Sequence, residues 1–175
     1  MIGVYIWLAI VSVVIITSTV AMIRTISKNI NNDFKYSIDF HKEGFKRTNF
    51  PIIKIKIRGK FRYFLVDSGA NINVIDYESY RTLVGDGEVH FKGDCGISGV
   101  GTAEKEETVS IIEDTFQVNS DKFTEDFSLM KDWAFAREKV SIASGLNVIG
   151  ILGSDFFTRA KWMLDFEDLI IWVKK

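Results

Sequence analysis

Cysteine, histidine and proline are scarce in this chain of 175 residues, which has one cysteine, two histidines and one proline. The single thiol, Cys95, cannot form a disulfide within the chain, and we interpret it as a half-buried free cysteine. His41 and His90 have no cysteine or acidic residue at a metal-ligand spacing. We therefore predict neither a metal site nor another cofactor.

The chain also lacks a strong charge of either sign, since its formal net charge is -1. A nucleic-acid partner would normally require a basic surface, so none is predicted. The hydrophobic share of 47% argues against disorder. The length suits one folded domain with a real core, and the sequence shows no internal repeat.

The longest uncharged segment lies at the start, where residues 2–23 are mostly isoleucine, valine, leucine and alanine. As a helix this segment would span roughly 33 Å, close to the thickness of a bilayer core. We predict a transmembrane helix over residues 1–23. A cleaved signal peptide is the alternative, with Thr19-Val20-Ala21 as its cleavage site. No positive charge precedes the segment, however, and it is longer than a typical signal-peptide core.

Basic residues follow this segment, namely Arg24, Lys28 and Lys35. The positive-inside tendency then predicts a single-pass membrane protein whose C-terminal part lies in the cytoplasm. A periplasmic or extracellular location remains the other possibility. Residues 24–44 are polar and are predicted to form a linker, although Ile38-Asp39-Phe40 could form a short strand. The folded domain is predicted over residues 45–175.

Within that domain the apolar pattern is typical of short strands with frequent turns. Ile53, Ile55 and Ile57 alternate with basic residues, which predicts a half-exposed strand. A return strand over 61–66 would complete a hairpin that ends at Asp67.

Helix signals in the domain are few. We expect Asp76 to cap a short helix through Leu83, and Ser154 to cap another over 154–160 with Phe156 and Phe157 turned inward. Residues 133–135 are expected to form a strand, and residues 162–173 a closing hairpin. The predicted fold is mostly β, with one or two short helices.

Two segments carry the chemistry. In Phe64-Leu65-Val66-Asp67-Ser68-Gly69-Ala70 a carboxylate ends an apolar strand that Ser-Gly then breaks. In Val148-Ile149-Gly150-Ile151-Leu152-Gly153-Ser154-Asp155 two glycines break an apolar run before a helix-like sequence. An Asp-Ser-Gly alone is common, but this ordered pair in a chain of this length is not.

The two segments together resemble the catalytic loop and the later hydrophobic-glycine loop of single-lobe, retropepsin-like aspartic proteases. The resemblance extends to Asp155-Phe156-Phe157 and to residues 162–166. It implies a single-lobe β-barrel, and a flap that covers substrate at Ile97-Ser98-Gly99-Val100-Gly101. The stretch from Glu113 to Asn147 is longer than in the retroviral members.

In such a site Asp67 would be the catalytic carboxylate of an active-site loop completed by Ser68, Gly69 and Ala70. Gly69 allows a tight turn and lets its N–H approach the carboxylate. Ser68, where most retroviral members have threonine, would hydrogen-bond across to the partner loop. One Asp-Ser-Gly per chain supplies half of the two carboxylates needed, so the resemblance implies a homodimer.

We therefore predict a membrane-anchored, homodimeric aspartic endopeptidase that hydrolyses peptide or protein substrates. The alternative is a catalytically inactive module of the same fold that dimerises or binds peptides at a membrane. Asp165, in the last hairpin, is predicted to be a hydrogen-bonded structural carboxylate.

Overall fold

The computed structural model describes residues 15–20, 22, 33–98, 106–131 and 134–175. The strands in this part of the chain are β1 (Phe34–Asp39), β2 (Ile52–Ile57), β3 (Lys60–Asp67), β4 (Val74–Asp76), β5 (His90–Ser98), β6 (Glu106–Val118), β7 (Asp121–Met130), β8 (Val148–Gly153), β9 (Trp162–Asp165) and β10 (Ile170–Lys174). The helices of the domain are α1 (Lys42–Thr48), α2 (Tyr77–Val84), α3 (Ala134–Ser144) and α4 (Ser154–Ala160).

The strands form two sheets. The larger has seven strands in the order β2-β3-β8-β4-β7-β6-β5, and a further β2–β6 pairing closes it into a barrel. The smaller has three strands in the order β1-β10-β9. The mostly β architecture is therefore confirmed.

Strand β2 shows how the sequence specifies the barrel. Ile53, Ile55 and Ile57 are at most 1% exposed, while Lys54 and Lys56 between them are exposed. Because successive side chains of a strand point to opposite faces, this alternation fixes which face enters the core.

An aromatic cluster holds α4 against the barrel. Phe156 and Phe157 are 0% and 7% exposed, so their predicted inward orientation is confirmed. The ring of Phe156 packs edge-to-face on Trp162, with centroids 4.7 Å apart, and on Phe116 at 5.3 Å. Such contacts add to the hydrophobic burial. They fix the helix whose first residues reach the candidate site.

The start of the folded domain differs from the predicted boundary at residue 45. Strand β1 lies inside the predicted linker, where a short strand was considered only at Ile38-Asp39-Phe40, and it pairs antiparallel with β10 along its length. Lys35 and Tyr36 also bond the Asp121 carboxylate, at 2.6 and 3.0 Å. Both sets of contacts come from residues distant in sequence, so the local polarity of the linker did not reveal them.

Helices are more numerous than the one or two predicted. The strand expected at 133–135 is wrong for Ala134 and Phe135, which begin α3, while Trp133 lies outside the described residues. In α3, Ile142 is 74% exposed, whereas Ser144 is 3% exposed. This inverted pattern concealed the helix, because amphipathic helices are recognised by apolar residues on the inner face.

The predicted transmembrane segment lies largely outside the described residues. Its described part, residues 15–20 and 22, is helical, and Ile15, Ile16 and Met22 are exposed. Within the described residues, no helix is long and apolar enough to cross a membrane.

Candidate active site

Asp67 is the last residue of β3, and the loop that follows turns directly back on it. Its side chain is half-buried, and Oδ1 accepts a hydrogen bond of 2.8 Å from the Gly69 N–H. The Ala70 N–H donates to the Asp67 carbonyl at 3.2 Å, which closes the turn. The expected approach of the Gly69 amide to the carboxylate is thus present.

The path of the chain after Asp67 explains why the segment from Val148 to Asp155 contains glycines. Strand β8 pairs parallel with β3 on one side and antiparallel with β4 on the other. The loop from β3 to β4 must therefore cross the end of β8, where Gly153 is the partner of Asp67. A Cβ on Gly153 would lie 2.4 Å from the Ile72 carbonyl oxygen. Only glycine leaves room for the crossing loop.

Gly150 is required for a similar reason deeper in the same strand. A Cβ there would lie 2.3 Å from a ring carbon of Phe64 and 2.5 Å from the Val74 carbonyl oxygen. The two glycines let β8 lie tightly between the neighbouring backbones. The two sequence segments are thus brought together side by side.

Ser154 fastens the loop to α4, in a role that differs from the predicted one. It was expected to cap α4, but the cap position is Gly153 and carries no side-chain hydrogen bond. Instead, the Ser154 N–H and hydroxyl both donate to the Ala70 carbonyl, at 2.7 and 3.0 Å. Ala70 of the loop is therefore hydrogen-bonded to the first residue of α4, a helix that aromatic packing holds against the barrel.

Asn73 is a further residue of the site that the sequence did not reveal. It connects the end of the loop to β7 and β8. It is 6% exposed, and its Oδ1 accepts from the Gly153 N–H at 3.0 Å. Its Nδ2 donates to the Asp126 carbonyl at 3.2 Å. A polar residue between the apolar Ile72 and Val74 was the available signal, because buried polar side chains are normally hydrogen-bonded.

Ser68 stands at the outer side of the loop. Its side chain is exposed, and among the described residues no hydrogen-bond partner is found for its hydroxyl. The loop thus presents one carboxylate and one free hydroxyl toward solvent. A single chain supplies half of the groups that a two-carboxylate site needs.

A cavity of about 530 Å³ opens beside the loop. Asn71 and Ile72 of the loop, Lys92 and Cys95 of β5, and Asp155 of α4 contribute to its wall. Cys95 is exposed, so its expected half-buried position is wrong. The lining is charged as well as apolar, since Lys92 bonds Asp126 across the cavity at 2.8 Å.

The predicted flap lies at the end of the β5–β6 hairpin. Ile97 and Ser98 end β5 and pair with Glu107 and Glu106 of β6. Gly99, Val100 and Gly101 lie outside the described residues. The flap assignment therefore stays a prediction for the tip, carried on a two-stranded antiparallel arm.

Asp165 has the structural role that was predicted for it. Its Oδ1 accepts from the backbone N–H groups of Glu167 and Asp168 at 3.0 Å each, and Oδ2 accepts from the Trp172 indole at 3.2 Å. Within the ranges that the structure covers, no group of histidine, cysteine and acidic side chains is arranged to hold a metal ion.

The barrel, the crossing loop and the paired glycine segment match the retropepsin-like fold. No protein-family model matches the chain, and no curated protein matches it in sequence.

Solved structures, in contrast, include proteins similar to this chain. The chain is similar to the crystal structure of a retropepsin-like aspartic protease from Rickettsia conorii, with a TM-score of 0.50 and 19% identity over 78% of this chain and 88% of that one. It is also similar to the EIAV protease in complex with the inhibitor HBY-793, with a TM-score of 0.46 and 18% identity over 66% of this chain and 92% of that one. At such identity, the likeness to the Rickettsia structure shows a shared fold.

Proposed function

We propose that this chain is a homodimeric aspartic endopeptidase in which Asp67 of each subunit forms the catalytic pair. The observation that carries the proposal is the placement of Asp67. It follows the buried segment Phe64-Leu65-Val66 of β3, its carboxylate accepts from the Gly69 N–H at 2.8 Å, and the adjacent Ser68 and Gly69 are exposed. A carboxylate so fixed and accessible can meet its symmetric copy across a two-fold axis.

Two such carboxylates can perform peptide hydrolysis with one water between them. Because like charges a few ångströms apart cannot both ionise, the pair shares one proton, as the carboxylates of aspartic proteases do. The ionised carboxylate takes a proton from the water, whose oxygen attacks the peptide carbonyl. The protonated carboxylate gives its proton to the carbonyl oxygen, which yields a tetrahedral diol. The carboxyl that received the water's proton then protonates the peptide nitrogen while its partner takes a proton from the diol, so the C–N bond breaks, the amine leaves and the pair again holds one proton.

Ser68 would complete the dimeric site. Its exposed hydroxyl can donate to the loop of the partner subunit and hold the two carboxylates in one plane. The β5–β6 arm with Ile97-Ser98-Gly99-Val100-Gly101 at its end would cover a peptide bound at the pair. Such a cover excludes water and strengthens the electrostatic interactions of the site.

A membrane location is part of the proposal. The charge-free composition of residues 1–23 supports an anchor, and their described part is helical with exposed apolar side chains. Anchoring two subunits in one bilayer would raise their effective concentration and favour pairing. Reporter fusions at the C-terminus would test the cytoplasmic orientation, which a periplasmic reporter signal would contradict.

A mixing experiment tests the shared site. Wild-type chain and Asp67→Asn chain, refolded together in equal amounts, should form homodimers and mixed dimers at random. If both carboxylates are needed, the mixture should cleave a peptide library at about a quarter of the rate of wild-type chain at the same total concentration. A residual activity of about one half would instead mean that each subunit works alone, and it would contradict the dimeric site.

The alternative is a catalytically inactive module of the same fold that dimerises or binds peptides at the membrane. The observation that favours it is the incomplete site of the single chain, which makes activity depend on how two subunits meet. Absence of cleavage by the wild type, from mildly acidic to neutral pH and at a concentration where sedimentation shows dimers, would support this alternative.

A further inference from the structure

Asn73 is a buried amide at the point where three strands meet. It precedes β4, and its backbone carbonyl accepts from the Ser128 N–H of β7 at 2.9 Å. Its side chain bonds β8 through Gly153 at 3.0 Å and β7 through Asp126 at 3.2 Å. One side chain therefore joins both neighbours of the short strand that receives the crossing loop.

The chemistry of the two partners fixes which way the amide points. The Gly153 N–H can only donate, so it requires the amide oxygen, and the Asp126 carbonyl can only accept, so it requires the amide nitrogen. The reverse orientation would place two donors together and two acceptors together. No other uncharged side chain of this size offers one acceptor and one donor in this geometry.

The contact with Gly153 connects Asn73 to the reacting group. Gly153 is the ladder partner of Asp67, and the loop carrying Asp67 crosses directly over it. Among the described residues, the one donor to the Asp67 carboxylate is the Gly69 N–H of the same loop. The direction of the carboxylate therefore follows the backbone of the loop, which rests on Gly153.

We propose that Asn73 is a positioning residue for Asp67. By hydrogen-bonding Gly153 of β8 and Asp126 of β7 to the start of β4, it sets the position of the catalytic loop relative to the barrel. This inference rests on the proposed function. A pair of carboxylates that must share one proton tolerates little misalignment. Small displacements of catalytic groups can cost about a hundredfold in rate.

Two variants test the role. Asn73→Ala removes both side-chain bonds, and we expect kcat/KM per folded dimer to fall about 10- to 100-fold, mainly through kcat. Asn73→Asp keeps the shape and the acceptor for Gly153 but loses the donor to the Asp126 carbonyl while ionised. When the new carboxyl is protonated, its O–H can donate as the amide does. The activity of Asn73→Asp relative to wild type should therefore rise as the pH falls.

Val118→Ala is the matched control. Val118 is 3% exposed and lies at the far end of β6 beside the β6–β7 turn. Its truncation should lower the melting temperature but leave kcat/KM per folded dimer and its pH profile unchanged. The assay uses the peptide that the wild type cleaves best from a random library, with dimer content measured by sedimentation.

The outcomes separate this inference from the function on which it rests. If both Asn73 variants lose activity only in proportion to folded dimer, as Val118→Ala does, and their ratio to wild type does not vary with pH, Asn73 is merely structural and the inference is overturned. If the wild type shows no Asp67-dependent cleavage, the proposed function fails and the inference fails with it.

Discussion

Two carboxylates of the barrel, Asp114 and Asp67, have opposite surroundings. The Asp114 side chain is 9% exposed, and its Oδ2 accepts from Arg58 at 2.5 Å and from the Tyr80 hydroxyl at 2.8 Å. Arg58 also donates to the Tyr80 hydroxyl at 3.1 Å, so the three groups form a closed network. Asp67 has one described donor, a backbone N–H of its own loop.

The difference separates a structural carboxylate from a candidate catalytic one. Within its own chain, the Asp114 network leaves little capacity for another ligand, and burial together with Asp114 raises the pKa of Tyr80 to about 12. Asp67 is half-buried and accepts one hydrogen bond among the described residues, so a water, a substrate or a second subunit could use its remaining lone pairs. Groups that a fold needs are bonded within the chain, whereas groups that react are left accessible.

The largest expected effect is the loss of activity on replacing Asp67 with Asn. Peptide cleavage should fall by about 10⁴-fold, the upper range for a positioned acid–base group. The free energy of unfolding should change by no more than about 0.5 kcal/mol, because the substitution touches one exposed loop bond. Kinetics on a cleaved peptide and urea unfolding measure the two quantities.

The same substitution could contradict the distinction between Asp67 and Asp114. If Asp67→Asn destabilised the fold by several kcal/mol, Asp67 would belong with Asp114 among the structural carboxylates. Circular dichroism of the variant provides the control for folding.

Gly153→Ala should damage both stability and activity, because the crossing loop leaves no space for a methyl group. The contacting atom, the Ile72 carbonyl oxygen at 2.4 Å, belongs to the backbone and cannot rotate away. We expect a loss of about 3 kcal/mol in unfolding free energy and a loss of cleavage in the remaining folded dimer. Thermal unfolding and kinetics per folded dimer would show it.

Gly85→Ala is the control for this substitution. A Cβ on Gly85 would meet nothing within 4 Å, although its φ of +59° and ψ of -126° lie where side chains are disfavoured, so alanine should cost about 1–3 kcal/mol. It should lower stability but leave cleavage per folded dimer intact. Equal losses of cleavage per folded dimer in the two variants would mean that the crowding at Gly153 is not decisive for activity.

Much of the region around Asp67 could be predicted from the sequence because its signals are local. The alternation of Ile53, Ile55 and Ile57 identified β2, and Gly69 was correctly expected to bring its N–H close to the Asp67 carboxylate. The cap of α2 was also predicted, since the Asp76 carboxylate accepts from the Ser79 N–H at 2.9 Å. Each of these features depends on residues a few positions apart.

The features that were missed depend on contacts between distant parts of the chain. Strand β1, of which only the end at Ile38-Asp39 was considered, is stabilised by β10 at the other end of the sequence. The Asp114 network joins the β2–β3 turn, α2 and β6. The role of Asn73 appears only when β7 and β8 lie on both sides of β4. The pattern of polar and apolar residues along the chain does not indicate which distant residues become neighbours in the fold.

Asp114→Asn tests whether Asp114 is a structural carboxylate. It removes the charge that pairs with Arg58, at a site partly open to solvent, and we expect a loss of about 2 kcal/mol in unfolding free energy. Cleavage per folded dimer should stay at the wild-type level, the reverse of the pattern for Asp67→Asn. Tyr80→Phe, which removes one hydroxyl from the same network, should cost about 1 kcal/mol.

A third carboxylate, Asp165, gives the smallest effect and one that depends on pH. Hydrogen bonds from the Asp168 N–H, the Trp172 indole and the Glu167 N–H lower the pKa of Asp165 below its ordinary value of 3.8. Since the folded pKa is the lower one, these bonds stabilise the fold above about pH 4, and the stabilisation is lost as the pH falls through the lowered pKa. Asp165→Asn should therefore unfold at a slightly lower urea concentration than wild type at pH 7, and the gap should narrow at pH 3. A gap that widened in acid would mean that these hydrogen bonds do not favour the ionised form of Asp165.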